Sequence, residues 1–366
     1  MKIYLLMFLY VFCVGGFIKT ISPISNYRGN IRYNISMAAA FLVVALPVFF
    51  IGMRTEFNDT TAYITGFRNV TTNFSQLYEQ FENSKGFIWL IYEWIIKKYI
   101  STDPSVFLFI TALIQMAAVV KMYRKYSLDY SFSILLFFLS CTFLYTMGGI
   151  RQFMALSILM FFSDYIFENK PFRFAIVVIF ASFIHVSAIV WLPIIFVVHG
   201  RPGNVKTLLV AILVIIAILY LNQFTDLLTE TLEGTLYEGY TTQFAMDDGA
   251  NIMHSLISFI PIGIWLLGYR LVNQSNDEHV NVLINISIIG FMLNLLAHFT
   301  SGILVGRMPI FFTIFNYMLL PWLFENVFEK RSASLIKIAC ITGYSAYALY
   351  YMHSMNISYI SSVLNF

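Results

Sequence analysis

Ten apolar runs, each long enough or nearly so to cross a lipid bilayer as a helix, leave this chain little choice of architecture. They fall at 2–18, 35–53, 104–120, 131–147, 150–167, 206–221, 252–269, 281–299, 308–324 and 335–352. A hydrocarbon core of roughly 30 Å takes about 20 apolar residues of helix. Inside lipid every backbone N–H and C=O has to find its partner within the protein, which favours helices. The expectation is an all-α polytopic integral membrane protein with about ten to twelve membrane-embedded helices, packed as one transmembrane domain over 1–366. Only 11% of its residues are charged, against about a quarter in ordinary soluble domains, so no sizeable soluble domain is expected.

The placement of Lys and Arg orients such a chain, since cytoplasmic loops carry the excess. The basic segments are 19–34, Lys121 with Arg124 and Lys125, Lys170 with Arg173, Arg201 with Lys206, and Lys330 with Arg331 and Lys337. They fall on one side only if the apolar stretch Phe172 to Val198 enters and leaves there, as a re-entrant hairpin with His185 at its tip. The same scheme puts 54–103 and 222–251 outside, and reads 86–100, with Trp89, Tyr92, Trp94, Lys97 and Lys98, as an aromatic interfacial helix. Met1 to Phe17 has the outline of a signal peptide. Lys19, Arg28 and Arg32 outweigh Lys2, however, and no small-residue cleavage site follows, so a retained first span with its N-terminus outside is expected.

Several chemistries lack their residues. Cys13, Cys141 and Cys340 are scattered through apolar runs, without the spacing of a disulfide framework or a metal cluster. There is no His-x-x-x-His, no clustered Asp and no Gly-Lys-Ser/Thr phosphate loop, so neither a metal, ATP nor any other cofactor is expected. No basic run suggests nucleic acid.

What remains is a set of ionisable side chains at the ends of apolar runs, where burial is costly and function is the usual reason. Arg54 and Asp59 follow the second run, Arg151 opens the fifth after Gly148-Gly149, His185 marks the hairpin tip, His298 ends the eighth run, and Arg307 opens the ninth. The topology brings all of them to the outer side. Arginine holds its charge and meets two phosphate oxygens at once with its planar fork. Arg151 and Arg307 are also expected in first helical turns, where the dipole favours the same anion. A diphosphate suits such a site. A proton acceptor near neutral pH is available in His185, with Asp59 or Glu56 as the alternatives.

The order Gly52-Met53-Arg54 with Asp59 and Tyr63, Gly149-Ile150-Arg151-Gln152-Phe153-Met154-Ala155, Phe183-Ile184-His185-Val186-Ser187-Ala188, Tyr237 with Tyr240, and Gly306-Arg307-Met308 resembles the EpsG/Wzy-type polysaccharide polymerases over most of the chain. The resemblance implies a helical bundle like those of Wzy and of GT-C glycosyltransferases. It implies a metal-independent, inverting glycosyltransferase of the bacterial inner membrane, active at its outer face. Such an enzyme joins undecaprenyl-diphosphate-linked repeat units in exopolysaccharide or O-antigen synthesis. Donor and acceptor are both lipid-linked oligosaccharides, and a chain-length regulator and a flippase are the implied partners. Arg151, Arg307 and Arg54 would hold the diphosphate, and His185, with Asp59 as runner-up, would act as base. Gln152, Tyr63, Tyr237, Tyr240 and His298 would hold sugar and acceptor. Two other functions need cations in a membrane cavity or a histidine base: a lipid-linked oligosaccharide flippase or other transporter, and a membrane O-acyltransferase.

Overall fold

Apolar residues without charged interruption propagate as helix, and the computed structural model is built almost wholly of helices among the residues it describes, 1–82, 86–220, 223, 226, 227, 230, 231, 250–300 and 305–365. In chain order they are α1 Lys2–Ile21, α2 Met37–Met53, α3 Thr60–Asn69, α4 Phe74–Glu82, α5 Phe87–Tyr99, α6 Pro104–Tyr126, α7 Tyr130–Leu139, α8 Ile150–Phe161, α9 Asp164–Phe167, α10 Pro171–Ser182, α11 Trp191–Ile194, α12 Val205–Leu219, α13 Ile252–Leu267, α14 Tyr269–Ser275, α15 Glu278–Phe299, α16 Ile310–Thr313, α17 Asn316–Val327 and α18 Lys330–Ser354. The chain is an all-α polytopic membrane protein. By length and apolarity α1, α6 and α15 can each cross a bilayer alone, and α13 with α14, bent by 80°, makes a further candidate. The fold divides into two compact units, one of Met1–Ile166, Phe172–Ile189 and Ser334–Phe366, the other of Phe167–Pro171 and Val190–Ala333.

In the first unit α2 packs closely along α6, and Gly52 makes this possible. A Cβ there would lie 2.6 Å from the Phe109 ring and 2.8 Å from the Phe109 Cα. One end of the unit collects several of its basic residues. Lys19 pairs with Asp129 at 2.5 Å, Lys125 with Asp164 at 2.8 Å, and the Arg124 Nε donates to the Ile35 carbonyl at 2.7 Å. This is the grouping of 19–34 with 121–125 that the charge pattern anticipates. The small antiparallel hairpin in this region, Ile24–Tyr27 (β1) with Asn30–Tyr33 (β2), was not anticipated. Its signal was Arg28-Gly29, both at positive φ, a two-residue turn of the kind that closes a hairpin.

The run expected at 131–147 is not one helix. α7 ends at Ser140, Cys141 turns into the left-handed region at φ 61, and a 3-10 turn covers Thr142–Thr146. The stretch is buried, so irregular backbone is tolerated where protein rather than lipid surrounds it. Helix α10 stops at Ser182, and a 3-10 turn follows at Val186–Val190. The backbone therefore breaks where His185 stands.

In the second unit α15 packs against α12, α13 and α16. The buried Asn285 side chain accepts from the Gly203 N–H at 2.8 Å and donates to the Val198 and Arg201 carbonyls at 2.9 and 3.2 Å. It thereby satisfies the turn at 198–203. The Trp191 indole donates to the Phe311 carbonyl at 3.1 Å.

Candidate active site

The irregular segment between α7 and α8 leaves carbonyls that no helix satisfies, and Arg54 takes them. It is only 2% exposed at the C-cap of α2. Its Nε donates to Thr60 Oγ1 at 3.1 Å, its Nη2 to the Thr146 and Met147 carbonyls at 3.4 and 3.0 Å, and its Nη1 to the Ile51 carbonyl. Thr60 Oγ1 donates to the same Met147 carbonyl at 3.1 Å. Arg54 thus stands as a clamp joining α2, α3 and the turn before α8, with all three guanidinium nitrogens engaged. The C-terminal tail closes over this end. Thr55 N–H donates to the Ile360 carbonyl at 3.0 Å, and the Ser361 hydroxyl to the Met53 carbonyl at 2.5 Å.

The clamp positions the turn that carries Arg151. A Cβ on Gly148 would lie 2.9 Å from Asn58 Nδ2, so glycine lets the loop bearing Asn58 and the exposed Asp59 pack onto the start of α8. The Ile150 carbonyl accepts from Gln115 Nε2 at 2.9 Å. Arg151 is the second residue of the 12-residue α8, half-buried, its Nε buried without a hydrogen-bond partner among the described residues. A cation in a first helical turn is opposed by the helix dipole; an anion at the same place is favoured by both. Gln152 is buried beside it.

The Arg151 guanidinium lies against Gly86, at the N-cap of α5. A Cβ on Gly86 would stand 3.0 Å from the Ile184 carbonyl and 3.2 Å from Arg151 Nη1. The first unit therefore brings Arg151, Gly86 and the residue preceding His185 together. His185 is half-buried, and its Nδ1 lies 2.6 Å from Ser187 Oγ and receives the Ser187 N–H at 3.4 Å. The Ser187 contacts hold the ring at the backbone break after α10.

Two residues of this site were not singled out from the sequence, Gly86 and Glu93. Glu93 lies two turns along α5 from Gly86 on the same buried face as Trp89, and is 5% exposed. Burial pushes its carboxyl up to about 7, against the opposing pull of the Trp89 hydrogen bond and the Arg151 and Lys97 charges. A single Glu in the apolar Phe87–Tyr99 segment is the signal that drew attention to Arg151. Tyr63 is half-buried, edge-on to Trp89 at 5.8 Å between ring centroids.

In the second unit Arg307 is exposed in a turn at 305–309, ahead of the four-residue α16. It does not occupy the first turn of a long helix, so the dipole argument made for it does not hold. His298, in the last turn of α15, meets the Ala250 carbonyl through Nδ1 at 2.9 Å, which makes Nδ1 the protonated nitrogen. Tyr237 and Tyr240 lie outside the described residues.

A sequence model of the EpsG family matches residues 37–364, from the first residue of α2 nearly to the end of the chain. No curated protein and no solved structure matches it.

Proposed function

The chain belongs to the EpsG family, a family of polysaccharide polymerases, and on that premise we propose that it joins undecaprenyl-diphosphate-linked oligosaccharide units as an inverting glycosyltransferase. The reading places the site at the outer face of a bacterial inner membrane and the basic end of the first unit in the cytoplasm. The observation that carries it is Arg151: a guanidinium in a first helical turn, packed on Gly86 beside the His185 turn, with a buried Nε in want of an acceptor. A leaving diphosphate supplies that acceptor and satisfies the helix dipole as well.

In this mechanism the acceptor hydroxyl oxygen bonds to the anomeric carbon of the donor while the bond from that carbon to the diphosphate oxygen breaks. Arg151 neutralises the departing charge, and His185 takes the hydroxyl proton, with Asp59 at the exposed mouth as the alternative acceptor. In the second unit, taken by itself, Arg307 is the proposed phosphate contact and His298 the proposed sugar contact. Gln152 and Tyr63 supply sugar contacts, and Arg54 supports the site as its clamp. The chain-length regulator and flippase implied by the resemblance are its proposed partners.

The test is a reaction of nanodisc-held protein with its lipid-diphosphate repeat unit, without ion gradient or metal, read as a product ladder. Wild type is expected to elongate, Arg151→Ala to stop, and Arg151→Lys to recover little, since a point charge does not replace the fork. Absence of a ladder from folded wild type with authentic substrate would overturn the reading in favour of transport.

A further inference from the structure

Lys19, Arg32, Arg124 and Lys125 gather where α1 and α6 both end. Lys19 is paired with Asp129 at 2.5 Å and Lys125 with Asp164 at 2.8 Å, whereas Arg32 and Arg124 have no carboxylate within 4.0 Å among the described residues. The two arginines touch. Arg32 Nη2 donates to the Arg124 and Lys125 carbonyls, both at 2.5 Å, which the last turn of a helix leaves without intrahelical partners. The Tyr27 ring covers the Arg32 guanidinium, 4.6 Å from its centroid. Arg124 uses Nε on the Ile35 carbonyl at 2.7 Å, and its Nη1 and Nη2 make no hydrogen bond among the described residues. Both arginines line one cavity of about 600 Å³. Its other walls include Ile18 and Ile21 in the last turn of α1 and the first turn of α2 after Ser36, where the helix dipole also favours an anion.

We propose that this cavity binds the phosphodiester headgroup of an anionic phospholipid, with Arg124 and Arg32 on the phosphate and the acyl chains along the exposed face of α1. The level in the bilayer fits. Helices α1 and α6 are each long and apolar enough to cross a membrane alone, and both end at the cavity, so it lies at the boundary where lipid phosphates lie. Ile21, which lines the cavity, and Phe17 one turn before it are each 64% exposed, and carry apolar surface from the rim back along the span. A soluble anion leaves that surface bare, whereas a lipid covers it; basic pockets between the ends of spanning helices take anionic headgroups in this way. The planar forks of the arginines suit two phosphate oxygens at once. The site does not depend on the function assigned to Arg151. Gln115 of α6 reaches the Ile150 carbonyl, and Arg124 lies about 14 Å further along the same helix at about 1.5 Å per residue.

The test is lipid binding by the full chain in detergent, with bound molecules counted by native mass spectrometry. The probes are dioleoyl phosphatidylglycerol, dioleoyl phosphatidylcholine and inorganic phosphate. Wild type is expected to hold phosphatidylglycerol about tenfold more tightly than phosphatidylcholine, and inorganic phosphate is expected not to displace it. Arg124→Gln is expected to bind phosphatidylglycerol about tenfold more weakly, and Arg124→Lys to recover part of the loss. Because Arg124 also holds the Ile35 carbonyl, a second variant leaves that contact alone. Asn34 lines the cavity, and its Oδ1 accepts from Ser25 Oγ at 3.2 Å. Asn34→Asp keeps this acceptor and sets a negative charge on the cavity wall. It is expected to melt as wild type does and to bind phosphatidylglycerol about tenfold more weakly. Equal affinity of wild type for the two lipids, or undiminished phosphatidylglycerol binding by folded Asn34→Asp, would overturn the site. Displacement of the lipid by inorganic phosphate would assign the arginines to a soluble anion and overturn the lipid reading.

Discussion

Replacing Gly86 by alanine tests whether the placement of Arg151, and not just its charge, supports polymerisation. Gly86 sits at φ −163, an extended conformation open to any residue, so the backbone itself accepts the change. The added Cβ would meet the Ile184 carbonyl oxygen at 3.0 Å and Arg151 Nη1 at 3.2 Å. The carbonyl belongs to the backbone at the end of α10 and cannot move alone, whereas the guanidinium is the end of a flexible side chain. Arg151 is therefore the group that yields, by a few tenths of an ångström. Overpacking of this kind costs about 1–3 kcal/mol, within what a folded protein of this size tolerates. Misplacing a catalytic group by about 1 Å costs roughly a hundredfold in rate, so a shift of a few tenths corresponds to about a tenfold loss. The assay is the rate of ladder formation at saturating lipid-linked unit, beside a thermal melt in the same detergent. Expected is a turnover about tenfold lower with a melting midpoint lowered by only a few degrees. Turnover within twofold of wild type, in protein of normal abundance, would refute the claim that the Gly86 contact positions Arg151.

Three further outcomes follow from the same geometry. Arg54→Ala is expected to abolish stable expression, because it strands the buried Ile51 and Thr146 carbonyls and leaves Met147 only the Thr60 hydroxyl, an unpaired carbonyl costing about 1–3 kcal/mol; recovery of a normal chromatographic profile would contradict the clamp. Gly52→Ala is expected to destabilise the α2–α6 packing by about 3 kcal/mol, since the Phe109 backbone cannot give way, and a melting midpoint equal to wild type would count against it. Glu93 makes stability depend on pH: its folded carboxyl titrates at about 7 against an ordinary 4.5, so the folded state binds more protons between these values. The resulting stabilisation is complete below 4.5 and is lost as pH rises through 7, with a ceiling of about 3 kcal/mol. Glu93→Gln should therefore melt higher than wild type at pH 8 and differ less at pH 5, and equal pH slopes for the two proteins would dismiss the effect.

Apolar run length and charge placement were enough to identify an all-α polytopic chain, because lipid imposes its constraint on each segment separately. The charge pattern likewise anticipated that 19–34 and 121–125 share one end, which the Lys19–Asp129 pair and the Arg124–Ile35 contact display. Arg151 and His185 stood out because an ionisable group among apolar neighbours is visible without coordinates. What a residue's chemistry becomes was not visible. Arg54 and Arg151 look alike in sequence, yet one is consumed by carbonyls freed where α7 breaks at Cys141 and the other keeps an unsatisfied Nε. The hydrogen bonds of His185 depend on Ser187 folding back onto its ring, and the turn geometry decides that. Gly86 acquires meaning only when the start of α5 is brought to Arg151, and Glu93 only when its helix face is buried. Segment identity is local and readable from composition, whereas the protonation and partnering of buried polar groups depend on which distant carbonyls and charges the packing brings within a few ångströms.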